Sequence, residues 1–464
     1  MNAIKNLSQR GADSGEHQYD HLEVDSPTNE REPLRPHENE DYGIEQEHNG
    51  HPAIKKEEPF IWLDYLVFLL LGVAMLWAWN MFLAAGPYFQ RRFSSNDWIA
   101  KHFQSTELTV STIVNMGAII LLTFIQARAH YAGRIVTALI VNTVSFTLLA
   151  ISTRLFTTVS AAGYFGFLLL EVMATSATTG LMQNGIFAYV SGFDREEYTQ
   201  GIMTGQAIAG AAPPLVQLIS VLSTPPVNPT DNPASESSTA ALAYFSTASI
   251  LSFSTLIAFL QLAARRRLSQ RHKRLSDDLS DAGDLPRKSV SLLVLFRKTF
   301  WLPMAVFLCF ATTMVFPVFT QRILSVRTSH DPPRILQPAS FIPLAFFFWN
   351  AGDLSGRLIT AIPAVRITHK PRLVLLLSLA RMGWIPLYYL CNLDGNGAII
   401  NSDFFYLIIV QFLFGMSNGY IGSNCMMGAV EYVDPNEREA TGGFMGMMLV
   451  AGLTVGSLLS FLVS

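Results

Sequence analysis

From Phe60 to its C-terminal end the chain keeps returning to one pattern, an apolar run of about twenty residues. That is the length at which an α-helix crosses a hydrocarbon core ~30 Å thick. The runs fall near 63–86, 107–127, 135–153, 161–189, 199–222, 240–263, 300–320, 341–362, 372–391, 404–430 and 440–463. In lipid every backbone N–H and C=O must find a partner within the protein, so segments of this length cross as helices. The expected fold class is therefore an all-α integral membrane protein with eleven transmembrane helices. Composition agrees: half of the residues are hydrophobic and only 14% are charged. A formal net charge of −3 gives nucleic-acid binding no electrostatic support. Cys309, Cys391 and Cys425 all sit inside apolar runs and read as packing residues, without a disulfide or metal site.

Charge and composition divide the chain further. Residues 1–59 hold fourteen Asp/Glu, six Lys/Arg and five scattered histidines with few aliphatics. Such a segment buries too little apolar surface to offset its ordering entropy, so a disordered acidic cytoplasmic tail is expected. Its polar start, with no apolar h-region, predicts no cleavable signal peptide. Residues 264–299, with "RRRLSQRHKR", are expected to form a basic central loop on the cytoplasmic side. That loop would separate a six-helix bundle (60–263) from a five-helix bundle (300–464). With the N-terminus inside, Arg128, Arg134, Arg195, ten basic residues of 265–298, Arg366, Lys370, Arg372 and Arg438 lie in inner loops. The outer loops hold Arg91, Arg92, Lys101, Arg154, Arg322, Arg327 and Arg334. This asymmetry predicts a cytoplasmic N-terminus and a luminal or extracellular C-terminus.

Ionisable groups near a span's centre cost about 2.5–3.5 kcal/mol each on insertion scales, so each needs a reason. Four qualify: Glu171, Asp353, Arg357 and Arg381. In "FIPLAFFFWNAGDLSGRLITAI" (341–362), Phe346, Asn350, Asp353 and Arg357 recur at helical spacing and share one face. Asp353 and Arg357 stand at i and i+4 with the acid first, the favourable order for an ion pair. Two readings stay open at this point. On one, the pair is self-neutralising glue between helices; on the other, the face presents polar groups to a solute in a water-filled path. Arg381 reads as a structural residue that snorkels or caps a neighbouring helix. Glu171 is either a neutral hydrogen-bonder or a proton-sensitive site. In span five, "GIMTGQAIAGAAPP" carries Gly205, Gln206 and a Pro pair, which serve equally as a close-packing face or a bending gate. Trp79, beside Asn80, has the position of an interfacial anchor, and Gln183 stands in a hydroxyl-rich fourth span. No P-loop, GxSxG elbow, HExxH or Cys/His cluster occurs, so neither an enzyme nor a cofactor is expected.

Several stretches then carry a resemblance. Span one has "WN" followed by "AGPYF", span four Gln183, span five "IMTGQAIAG" and span eight "FFFWNAGDLSGRLITA". Span nine has "LARMGWIPLYYLCN", span ten "GMSNGYIGS" and the entry to span eleven "EREATGGFMG". In this order the chain resembles the equilibrative nucleoside transporters, and their fungal members in particular, over the whole membrane region but not the tail. The resemblance implies a major-facilitator-like fold and facilitated passage of purine and pyrimidine nucleosides, with nucleobases as a further class. By position it implies that Trp79 and Leu83 line the cavity and that Gln183 bonds the base. Asn350, Asp353 and Arg357 would hold the sugar and polar base edge, with Phe346 packing nearby, while Gly205, Gln206 and Asn418 would serve packing or gating. It also points to a vacuolar or other internal membrane. The chain departs from the family pattern at Ala78, where proline is common, at Ser176, where asparagine is usual, and in having Glu171 at all. The rivals are a facilitator of sugars or drugs and a non-transporting receptor or scaffold.

Overall fold

The computed structural model describes residues 60–125, 130–156, 158–193, 195–223, 233–277, 291–327 and 333–460. The expected tail (1–59), the stretch 224–232 and residues 278–290 of the central segment lie outside them. The described chain is helical, and its long helices follow the expected runs. They are α1 (Trp62–Ala84), α2 (Asp97–Phe124), α3 (Tyr131–Leu155), α4 (Ala161–Ser191), α5 (Glu196–Ser223) and α6 (Pro233–Asp277). Then come α7 (Trp301–Arg322), α8 (Pro338–Ile359), α9 (Pro371–Ala380), α10 (Phe405–Tyr432) and α11 (Arg438–Ser460).

Among the described residues, nine of these helices are long and apolar enough to cross a membrane, so the count of eleven is not reproduced by that measure. The two that fall short have physical reasons. Asn350, Asp353 and Arg357 dilute the apolar content of α8. The α9 segment is broken by a 3-10 turn at Arg381–Gly383, followed by the short helix Trp384–Tyr388. Boundaries moved as well. Helix α2 starts at Asp97 rather than 107, because the polar residues before Glu107 continue the helix under an Asn96 cap that accepts from the Ile99 N–H. Much of the expected central loop is helical too: α6 runs on to Asp277 and a short helix spans Leu292–Thr299. Arg265 and Arg266 then have packing roles. Arg265 pairs with Asp64 in the first turn of α1 at 2.7 Å, and Arg266 lies 3.5 Å over the Phe193 ring.

Helix pairing repeats within the chain. In the first six helices α1 packs on α5, α2 on α4, and α3 on α6. In the later ones α7 packs on α11 and α8 on α10, the counterparts of the first two pairs; among the described residues the α3–α6 pair has no counterpart. Contacts between the two sets are paired in the same way: α2 with α11 answers α8 with α5, and α4 with α11 answers α10 with α5. This is the pattern of a parallel structural repeat about an axis between two bundles. Between helices in lipid there is little hydrophobic drive, so small residues that allow close approach decide which pairs form. A Cβ on Gly205 would collide with the Leu69 carbonyl of α1, and one on Gly419 with the Asp353 carbonyl of α8.

Candidate functional site

Helix α8 brings the charged pair to the junction of α5, α8 and α10. Asp353 and Arg357 are 3% and 4% exposed, and Arg357 Nε donates to Asp353 Oδ2 at 2.9 Å. The other Asp353 oxygen accepts from Asn418 Nδ2 of α10 at 2.7 Å. Arg357 Nη1 reaches across to α5, donating to the Met203 carbonyl at 2.6 Å and to Gln206 Oε1 at 3.1 Å. Gln200 Nε2 returns a contact to the Arg357 carbonyl at 3.4 Å. The network continues away from α5: Thr313 donates to Asn418 Oδ1 at 2.7 Å, and Arg381 Nη2 donates to Thr313 at 3.1 Å.

Arg381 therefore does not snorkel. It is 1% exposed, bonds the Cys309 carbonyl and Ser417, and lies 4.7 Å from the centre of the Phe414 ring. Two guanidinium groups and one carboxylate thus share one buried, connected network, in which the positive groups outnumber the negative. Burial on this scale is tolerable because each charged head is hydrogen-bonded.

The other expected site residues distribute as follows. Asn350 is half-buried, donates to the Phe346 carbonyl at 2.8 Å and turns its oxygen toward Gly210 of α5. Phe346 meets Phe316 edge to face at 5.1 Å, and Phe316 in turn stacks on Trp349 at 4.1 Å. In this conformation Asn350 and Arg357 meet α5, Asp353 meets α10 and Phe346 meets Phe316 of α7. Gln183 is 4% exposed and its Oε1 has no partner. Trp79 is half-buried next to Asn80, whose Nδ2 donates to the Ala209 carbonyl at 2.8 Å. Leu83 is 59% exposed and stands apart from the buried network. Glu171, on α4, is 8% exposed and has Ser145 of α3 as a polar neighbour, a setting open to the hydrogen-bonding reading of this group. A cleft of about 540 Å³ between α3 and α6, lined by Thr147, Arg154, Ser246 and Ser249 among others, shares no residue with the network.

Three groups escaped the sequence reading. Glu107 was placed at the edge of a span, yet it is 5% exposed with Oε1 unpartnered. Its signal, visible only once α2 is extended to Asp97, is an acid one full turn before Ser111 on the same face. Buried Trp349 has an Nε1 without a partner, and Asn115 was passed over altogether. Because an unpaired buried carboxyl destabilises, Glu107→Gln is expected to raise the melting temperature of the detergent-purified protein. A lowered melting temperature would mean that the carboxyl has a stabilising partner.

Comparisons with known proteins bear on the family and the fold. The family model described as "Nucleoside transporter" matches residues 169–284 and 277–464, more than half of the chain. The chain is similar to the nucleoside transporter FUN26 of Saccharomyces cerevisiae, at 30% identity over 442 residues, covering 86% of this chain and 83% of that protein. It is 25% identical to the human equilibrative nucleoside transporter 1 over 459 residues, covering 86% and 96% of the two. Among solved structures, the fold resembles the major facilitator superfamily transporter FucP in its outward conformation. The TM-score is 0.55 at 14% identity, with 86% and 92% of the two chains covered. The proton:xylose symporter XylE gives the same TM-score of 0.55 at 11% identity, covering 86% of each. At such identities these structures speak for the fold alone. A multi-pass helical chain on a major-facilitator-like fold, matched by that family model over most of its membrane region, belongs to the nucleoside transporter family.

Proposed function

We propose that this protein carries purine and pyrimidine nucleosides, with nucleobases as a further class, across a membrane by alternating access without nucleotide hydrolysis. The observation that carries this reading is the Arg357 side chain. It is held by Asp353 on its own helix and by Gln206 and the Met203 carbonyl on α5. A sugar hydroxyl can take the place of either α5 acceptor, so substrate binding and the contact between the bundles compete for one guanidinium. Asp353 keeps its ion pair in either state, which keeps the charge cost low. Gln183 supplies a donor and an acceptor for the base, and Trp79 and Phe346 supply apolar walls; Leu83, more exposed, is assigned to the rim.

The closing surface is supported by a second set of contacts. Glu196 at the start of α5 pairs with Arg366, beyond α8, at 2.7 Å. Close by in the fold, α11 approaches the last turns of α4: a Cβ on Gly442 would strike the Phe187 carbonyl, and Glu439 lies beside Gly192. With a cytoplasmic N-terminus this is the inner end, so we assign the conformation as closed toward the cytoplasm. The division into bundles at 60–263 and 300–464 follows the same pairing. A vacuolar or other internal membrane is the proposed location, to be settled by microscopy of a tagged protein.

The test is uptake of radiolabelled uridine and adenosine into proteoliposomes, with sugars as competitors. Saturable nucleoside uptake is expected in the absence of ATP. Sugar uptake without nucleoside uptake would overturn the assignment.

A further inference from the structure

Buried amides in this fold are satisfied almost without exception. Asn142 bonds Thr178, Asn184 bonds Arg134, Gln206 bonds Arg357, Gln411 bonds Thr320 and Tyr406, and Asn418 bonds Asp353. Among the described residues, the buried side-chain oxygens without a partner belong to Glu107, Asn115, Gln183 and Ser423. Three of these four lie on α2 and α4, and the two that are amides stand on adjoining turns of the same seam.

The register follows from the contacts. Ser111 and Ser176 are joined by a 2.9 Å hydrogen bond. One turn on, a Cβ at Gly180 would lie 3.2 Å from Asn115 Oδ1 and 2.9 Å from the Ala118 Cβ. Residue numbers rise together on both helices, so α2 and α4 run in the same direction. Asn115 stands opposite Gly180, and Gln183 is three residues further along α4, a neighbour on the same side of the helix, about 5–6 Å away between Cβ positions. On the far side of Gln183, α11 comes close through Gly446, where a Cβ would lie 3.4 Å from the Gln183 carbonyl. Two amides whose oxygens lack partners therefore stand about one turn apart along the α2–α4 seam, with α11 of the other bundle close by at Gln183. A buried acceptor left without a donor carries its desolvation penalty uncompensated, so a ligand donor that meets it is favoured.

We propose that Asn115 is a second base-reading amide, which together with Gln183 grips the polar edge of a nucleobase across the α2–α4 seam. This rests on the base-binding role proposed above for Gln183. Each amide offers a carbonyl acceptor and an NH2 donor. Base edges place donors and acceptors side by side, such as the amino group of adenine and the keto oxygen of a pyrimidine. Two amides one turn apart accommodate either polarity, so the pair favours nucleobase-bearing solutes over sugars without choosing strongly among bases.

The experiment measures adenosine and uridine uptake into proteoliposomes for Asn115→Leu, Gln183→Leu and the double variant, normalised to inserted protein. Asn115→Ala is carried in parallel as the smaller replacement should the leucine variant fail to insert. The inference expects KM to rise about tenfold in Asn115→Leu or Asn115→Ala with Vmax little changed. It also expects the double variant to depart from the product of the two single effects, because both side chains hold one ligand. An unchanged KM at Asn115 beside a raised KM at Gln183 overturns this inference and leaves the Gln183 reading standing. An unchanged KM in Gln183→Leu overturns the Gln183 reading itself, and the two-amide grip with it. Strictly independent effects assign Asn115 to helix packing, and also overturn the proposal.

Discussion

Replacing Asp353 by asparagine is expected to reduce nucleoside uptake to background while the protein still reaches the membrane. Both Asp353 oxygens accept hydrogen bonds, from Arg357 and from Asn418. An amide at this position turns one acceptor into a donor that faces another donor, and leaves Arg357 without its counter-charge. Removing one partner of a buried pair costs about 3–5 kcal/mol, most of it from the charge left behind. Asp353→Ala should therefore lower the melting temperature as well as abolish uptake. The pair Asp353→Ala with Arg357→Ala separates structure from transport. With both charges gone, stability should recover beyond either single variant, whereas uptake should stay at background. Normal transport by Asp353→Asn, or recovery of uptake in the double variant, would show that the pair is only glue. Thermal melting and uptake on the same preparations give both readouts.

Gly419→Ala should have the larger effect on the fold. A methyl group at Gly419 would fall within bonding distance of the Asp353 carbonyl, and Gly415 on the same helix faces the Trp349 carbonyl equally closely. The obstacle is backbone, which has no rotamer to escape into, so α8 and α10 must part and the Asn418–Asp353 bond goes with them. Overpacking of a close helix contact costs about 1–3 kcal/mol or more, and here it is borne at the site itself. Reduced membrane insertion, or a melting temperature several degrees lower, is the expected result. Gly166→Ala on α4 is the control: a Cβ there meets nothing within 4 Å, and alanine is favoured in a helix by roughly 0.5–1 kcal/mol. If Gly419→Ala melts and transports like the control, the two helices are not in backbone contact.

Why α8 was legible in the sequence and α2 was not has a local cause. On α8 a carboxylate, an amide and a guanidinium interrupt a strongly apolar run, and their spacing of three and four residues assigns a shared face without any knowledge of neighbours. On α2 the acid falls where apolar residues give way to polar ones, so Glu107 read as a boundary. Only the Asn96 cap, with ten further helical residues behind it, places that group inside the span. Asn115 offered still less, being one amide among several, and it becomes distinctive only because, Gln183 apart, the other buried amides named above find partners. Arg381 was misread for a related reason. Its nearness to a loop in sequence suggested snorkelling, but the turn at Arg381–Gly383 aims the side chain inward, onto the Cys309 carbonyl.

The amino-acid sequence by itself determined that the chain crosses a membrane many times as helices, where those helices lie, and that Asp353 and Arg357 form a pair. These follow from hydrophobic run length and helical period, which are properties of neighbouring residues. The tertiary structure decided which groups the pair meets. Arg357 takes its remaining partners from Met203 and Gln206, more than 150 residues away, and Asp353 takes Asn418 from a helix whose glycines alone permit the approach. Partner choice at that range depends on which helix faces meet, and helical period is silent on that point.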